Sequence, residues 1–225
     1  MGEFLQSIQE QLIWATGGAW FEYLAVACGV AYVILAAARN IWCWPMGFIS
    51  SAIYTVIMWD LKLYMDTLLF VYYVVMAVYG FWMWKWGGAK DKAAQQELPV
   101  AVWSWKTHLL WAVGLSAGAF ANGYFLANNT DAAFPYWDSY TTWFALFATF
   151  LVTRKVLENW IYWIVLDLIW AVIYFKKGIP ATSGLMVFYT GFAIYGFFNW
   201  LKRWRIERMN LSFNGACGDP PPSTG

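Results

Sequence analysis

Seven apolar segments, roughly 20–38, 43–59, 66–86, 107–126, 137–153, 159–175 and 181–201, follow one another with short breaks between them. A helix needs about 20 residues to cross ~30 Å of hydrocarbon, and somewhat fewer are tolerated. No other feature constrains this chain as strongly. Residues that are 61% hydrophobic and 22% aromatic, over a length of 225, exceed what a soluble fold can bury. Only 12% are charged, against about 25% in soluble domains. Backbone amides in lipid must be bonded within their own segment, so the spans are helices. The expected fold is an all-α polytopic membrane protein with seven transmembrane helices.

The chain also repeats itself at an offset of 116 residues. Ala77-Val78-Tyr79-Gly80-Phe81 and Trp84 fall on Ala193-Ile194-Tyr195-Gly196-Phe197 and Trp200. Tyr73 falls on Tyr189, Trp44 on Trp160, Arg39 on Lys155, and Trp20-Phe21-Glu22 on Tyr136-Trp137-Asp138. Coincidences of Val or Leu between apolar segments carry no weight, but rare residue types matching at one offset across three spans indicate duplication. Three spans, one linker span and three more set both repeats in the membrane the same way up. A 3+1+3 parallel pseudo-repeat of this kind is one arrangement found in secondary transporters, with substrate held between the halves near mid-membrane. The organisation read from the sequence is an interfacial segment over 1–18, a first three-helix repeat over 19–86, and a loop and linker helix over 87–134. A second repeat over 135–201 and a polar cytoplasmic tail over 202–225, disordered after Arg208, complete it.

Loop charge sets the expected orientation. Arg39, Lys85, Lys90, Lys92, Lys106, Arg154, Lys155, Lys202, Arg203, Arg205 and Arg208 fall on one side, and Lys62, Lys176 and Lys177 on the other. Eleven against three places the C-terminus in the cytoplasm and the N-terminus outside by the positive-inside rule. A net charge of +1 gives no footing for a nucleic-acid partner. The three cysteines are irregularly spaced and the single His108 has no companion ligands, so neither a disulfide framework, a metal site nor a cofactor is expected.

In the sixth span, Trp160, Trp163, Asp167, Trp170 and Tyr174 recur at i, i+3, i+7, i+10 and i+14, which is one helical face. The corresponding face of the second span is Trp44, Gly47, Ser51, Tyr54 and Met58. Such stripes serve either as packing faces or as the wall of a pathway. Asp167 favours the pathway, because a carboxylate at mid-span costs a few kcal/mol and turns to a cavity or a partner. Aromatic faces with one acid suit a flat cationic or polar heteroaromatic solute, through stacking and cation–π attraction. Tyr73 and Tyr189 match across the repeats and join the candidate substrate residues. Asn40 and Asn159 either bond polar groups of a solute or cap their helices. Glu22 and Asp138 fit better as helix-start acids than as binding groups, and Pro45 fits a first-turn position.

The remaining function classes find little support. A retinal receptor needs a Lys within the last span, and residues 181–201 hold none. An intramembrane enzyme needs a nucleophile with its base or paired acids, which the spans lack. A transporter is the class that remains, without a visible coupling-ion cage, though proton coupling stays open.

Arg39-Asn40-Ile41-Trp42-Cys43-Trp44-Pro45-Met46-Gly47, Leu63-Tyr64-Met65-Asp66, Trp137-Asp138-Ser139 and Arg154-Lys155-Val156-Leu157-Glu158-Asn159-Trp160-Ile161-Tyr162-Trp163, running on to Asp167, occur in order. Over roughly residues 20–202 they resemble the PnuC family of vitamin transporters. The resemblance implies a SWEET-like 3+1+3 fold and uptake of nicotinamide riboside, an NAD precursor, across the bacterial inner membrane. It further implies facilitated diffusion, with intracellular phosphorylation trapping the substrate. Thiamine or riboflavin are the substrates implied for relatives within the family. The chain lacks the Pro-Gln motif of eukaryotic SWEET relatives, which counts against a sugar. A homo-oligomer is compatible with the sequence but not specified by it.

Overall fold

The computed structural model describes residues 19–60, 64–87, 98–130, 134–176 and 180–216. The N-terminal segment, most of the long loop and the last residues lie outside that set. Among the described residues, seven helices carry the fold: α1 (Ala19–Ala37), α2 (Cys43–Asp60), α3 (Tyr64–Trp86), α4 (Trp105–Asn129), α5 (Pro135–Thr153), α6 (Asn159–Lys176) and α7 (Pro180–Ala216). Five of them, α1, α3, α4, α6 and α7, are long and apolar enough to cross a membrane on their own composition. The other two, α2 and α5, are not in that set; both carry hydroxyls on buried faces, Ser50 and Ser51 on α2 and Ser139, Thr141, Thr149 and Thr153 on α5.

Helix packing closes a ring. α1 packs on α2, α2 on α3, α3 on α5, α5 on α6, α6 on α7, and α7 returns to α1. Exchanging α1, α2, α3 for α5, α6, α7 maps this ring onto itself, as an axis along the membrane normal requires. α4 stands outside it, packed chiefly on α5. Its glycines permit the close approach: a Cβ at Gly118 would stand 2.7 Å from the Trp143 ring, and one at Gly123 2.7 Å from that of Tyr136. Asn122 Nδ2 donates to Ser139 Oγ at 3.1 Å across the same contact.

The first helix of each repeat ends in the same turn. Arg39 and Lys155, matched at the 116-residue offset, both adopt positive φ, 59° and 49°. Asn40 N–H donates to Leu35 O at 2.8 Å and Val156 N–H to Leu151 O at 3.0 Å, with Arg39 to Ala36 and Lys155 to Val152 inside them. This is the Schellman closure, usually built on glycine. A cation takes the strained position here, where the helix C-terminal dipole favours positive charge.

The segment after the long loop straps the same end of the ring. Ala101 and Val156 form a parallel bridge, Val100 N–H donates to Glu207 Oε2 at 3.1 Å and Trp103 N–H to Glu158 Oε2 at 3.3 Å. Glu207 also pairs with Arg39 at 3.5 Å. Glu207 can do so because α7 continues as helix to Ala216, where the polar composition had suggested a disordered tail. A polar helix leaving the membrane looks to a hydropathy pattern like a tail.

Candidate functional site

At the cation-rich end, four tryptophans fill the middle of the ring. Trp44 meets Trp84 edge to face (centroids 5.3 Å apart), Trp84 meets Trp200 (5.9 Å), and Trp200 meets Trp160 edge to face (5.5 Å). They are two symmetry pairs, Trp44 with Trp160 and Trp84 with Trp200, and each is at most 3% exposed. Trp44 is seated on Gly80, where an added Cβ would overlap its ring, and Trp160 on Gly196, where one would stand 2.7 Å away.

Trp84 and Trp200 tie the repeats together. The indole of Trp84 on α3 donates to Val152 O at the end of α5, and that of Trp200 on α7 to Ala36 O at the end of α1, each at 3.1 Å. The four residues involved are again paired at the 116-residue offset. Asn199 Nδ2 adds a bond to Ala37 O at 2.8 Å, and the buried Lys155 ammonium lies 4.6 Å from the Trp84 ring centroid, within cation–π range. The indole N–H groups of Trp44 and Trp160, by contrast, have no partner. A buried unpaired donor costs ~1–3 kcal/mol, so these two are available to a solute or to another conformation.

Further along α6 comes the expected stripe. Asp167 is 5% exposed and is the only buried carboxylate among the described residues. No hydrogen bond or ion pair to it appears among them. Trp163, half-buried, packs against both the tryptophan cluster and the Ala145–Ala148–Leu166 cluster, and Trp170 packs on the latter. Tyr189 on α7 lies within electrostatic range of both Tyr54 on α2 and Asp167, so three helices converge there. Tyr54 stacks on Phe70 of α3 at 5.0 Å. Tyr73 sits beside Phe70, with ring centroids 5.9 Å apart.

The structure therefore brings together Trp44, Tyr54, Tyr73, Trp160, Trp163, Asp167, Trp170 and Tyr189 inside the ring. Asn159 is fully buried; its amide donates to Val156 O at 2.6 Å and its Oδ1 is unpaired. Asn40 is not brought there. It is exposed, and its Oδ1 accepts from Trp42 N–H at 3.0 Å, a turn-capping role. Sequence reasoning missed Tyr32 of α1, which meets Trp44 at 6.1 Å and fills the space above Gly47, where a Cβ would stand 2.9 Å from its ring. The offset gave no signal for Tyr32, because the matching position is Ala148. His108, expected to be isolated, bridges α4 to α6: Nδ1 lies 3.1 Å from the Tyr162 hydroxyl and Nε2 3.8 Å from Glu158.

The family model described as nicotinamide mononucleotide transporter matches residues 19–202. The chain is 26% identical over 206 residues to the nicotinamide riboside transporter PnuC of Escherichia coli (strain K12), covering 81% of this chain and 85% of that protein. It is 22% identical over 189 residues to the riboflavin/roseoflavin transporter RibM of Streptomyces davaonensis, covering 84% and 87%. A crystal structure of the vitamin B3 transporter PnuC superimposes with a TM-score of 0.65 at 25% identity, covering 88% of each chain.

Proposed function

The chain belongs to the nicotinamide mononucleotide transporter family, and on that premise we propose that it carries nicotinamide riboside across the bacterial inner membrane. The carrying observation is Asp167: a buried, unpartnered carboxylate on a face of Trp160, Trp163 and Trp170. Nicotinamide riboside is a flat pyridinium cation bearing a ribose. Its ring would stack on the indoles, its charge would balance Asp167, and its hydroxyls would meet Asn159 Oδ1 and the unpaired indole donors. The E. coli relative is itself a nicotinamide riboside transporter, which supports the same solute.

Transport proceeds by facilitated diffusion. Among the described residues Asp167 is the one buried acid, which supports a carrier without a paired coupling-ion site. The N-terminus faces outside and the C-terminus the cytoplasm, an orientation supported by the eleven-to-three excess of Lys and Arg in one set of sequence loops. That cluster closes the cytoplasmic side, and release inward requires the two indole–carbonyl ties to part.

Calorimetric titration of the detergent-purified protein with nicotinamide riboside, thiamine, riboflavin and a sugar tests the substrate. The expected result is tightest binding of the riboside. Preference for uncharged riboflavin, which the RibM relative carries by its name, would remove the role given to Asp167, and preference for thiamine would keep the charge but change the solute. Collapsing an imposed proton gradient across proteoliposomes leaves riboside uptake unchanged if diffusion is facilitated; a matching change means proton coupling.

A further inference from the structure

The 37 residues of α7 extend over about 55 Å, close to twice the hydrocarbon thickness, so its C-terminal part stands clear of the bilayer. One side of that emerging portion is committed. Trp200 and Trp204 pack on the core, and Glu207 is held by Arg39 and by Val100 N–H.

The other side is of mixed character, and Leu201 at its edge also packs on the core. Phe198, Leu201, Lys202, Arg205, Ile206 and Met209 line an indentation of about 390 Å³. Their spacing, i, i+3, i+4, i+7, i+8 and i+11, keeps them on one face. Phe198 is 62% exposed and lies toward the membrane span, while the two cations follow within two turns, at the level where the helix meets the headgroups. Lys202 and Arg205 form no ion pair among the described residues, and the nearby acid, Glu207, is turned away and engaged.

We propose that this groove binds one anionic phospholipid of the adjoining leaflet, its phosphodiester bridged by Lys202 and Arg205 and an acyl chain lying on Phe198 and Leu201. Charge complementarity selects the headgroup, since basic residues beside a transmembrane helix attract anionic lipids. The apolar floor, continuous with the span, selects a lipid over a soluble anion, which would leave Phe198 and Ile206 wet. Bound there, the lipid braces the stretch of α7 whose opposite face presents Glu207 to Arg39.

Native mass spectrometry of the full chain, released from nanodiscs of equal phosphatidylglycerol and phosphatidylcholine, tests the site. The wild-type protein retains one phosphatidylglycerol in preference to phosphatidylcholine. Lys202→Gln with Arg205→Gln lowers that preference by about tenfold. Lys202→Arg with Arg205→Lys, which keeps both charges, retains it. So does Lys106→Gln with Arg203→Gln, which removes as much charge away from the groove. An unchanged preference in the first variant, or an equal loss in the last, overturns the proposal. Displacement of the lipid by excess inorganic phosphate also overturns it, by making a soluble anion the ligand.

Discussion

The two repeats share a skeleton and differ in how they fill it. Gly80 under Trp44 corresponds to Gly196 under Trp160, and the indole bond of Trp84 to Val152 corresponds to that of Trp200 to Ala36. Around this frame the aromatic bulk has changed sides. In the first repeat Tyr32 of α1 covers Gly47 of α2; in the second, the matching pair is Ala148 of α5 beneath Trp163 of α6. Ser51 likewise gives way to Asp167. The first pair of helices is also drawn together, Ser50 Oγ donating to Ala25 O at 2.8 Å with Gly29 beside it. Its counterpart between α5 and α6 has Leu166 and Thr141, and there an apolar cavity of about 530 Å³ remains, lined by Tyr136, Tyr140, Phe144, Tyr162 and their neighbours. Duplication preserved what joins the halves and released what lines them.

If the skeleton is shared, damage to it should be severe and alike in both halves. Gly80→Ala forces a methyl into the buried Trp44 ring, and Gly196→Ala into that of Trp160. Each is expected to cost about 3 kcal/mol, the upper range for overpacking, read as a lowered unfolding temperature in detergent. A large loss in one half with tolerance in the other would show that only one repeat carries the frame.

The linings, by contrast, should respond unequally. Trp163→Ala and Asp167→Asn are each expected to weaken riboside binding by at least about tenfold, or about 1.4 kcal/mol, with the protein still extractable and folded. Ser51→Ala, at the position matching Asp167, should leave affinity within about twofold. Calorimetry on the three variants decides the matter: unchanged affinity in both α6 variants would move the pocket elsewhere.

How much of this the sequence disclosed follows from which residues are rare. Trp, Gly and Tyr matches at one offset revealed the duplication, its register and the tryptophans that later proved to touch. Tyr32 stayed hidden, because reciprocal exchange of large for small leaves no match to see. The roles of Asn40 and Asn159 were undecidable, since a capping amide and a buried one occupy the same kind of helix start; only the three-dimensional path exposes the first and buries the second. The spans α2 and α5 were legible as apolar runs and by their place in the repeat, although they are not among the helices apolar enough to cross a membrane on composition alone.

A milder cut at the frame separates hydrogen bonding from packing. Trp84→Phe and Trp200→Phe keep most of the ring and delete the donor that crosses between repeats. Each should cost about 1 kcal/mol and shift the protein toward the conformation open at that end. Cysteine labelling at the mouth beside the tryptophan cluster in each variant would report this as a matched rise in accessibility; a rise in one alone would make the clasp one-sided.

The smallest effect tests the helix pair that duplication left closed. Ser50→Ala removes one hydroxyl-to-carbonyl bond between α2 and α1, a contact worth about 0.6 kcal/mol between membrane helices. The acceptor, Ala25 O, sits within α1 and stays in reach of its own helix's amides, so no buried group is stranded. Leu166→Ala in the second repeat removes comparable closure from the opposite side, yet it should cost more, about 2–3 kcal/mol, because a buried side chain (4% exposed) is lost beside an existing cavity. Thermal unfolding of the two variants in one detergent ranks them. Should Ser50→Ala prove the costlier, the first pair would be held by that bond rather than by the fit of Tyr32 over Gly47, and the contrast between the repeats would rest on polar contacts instead of exchanged bulk.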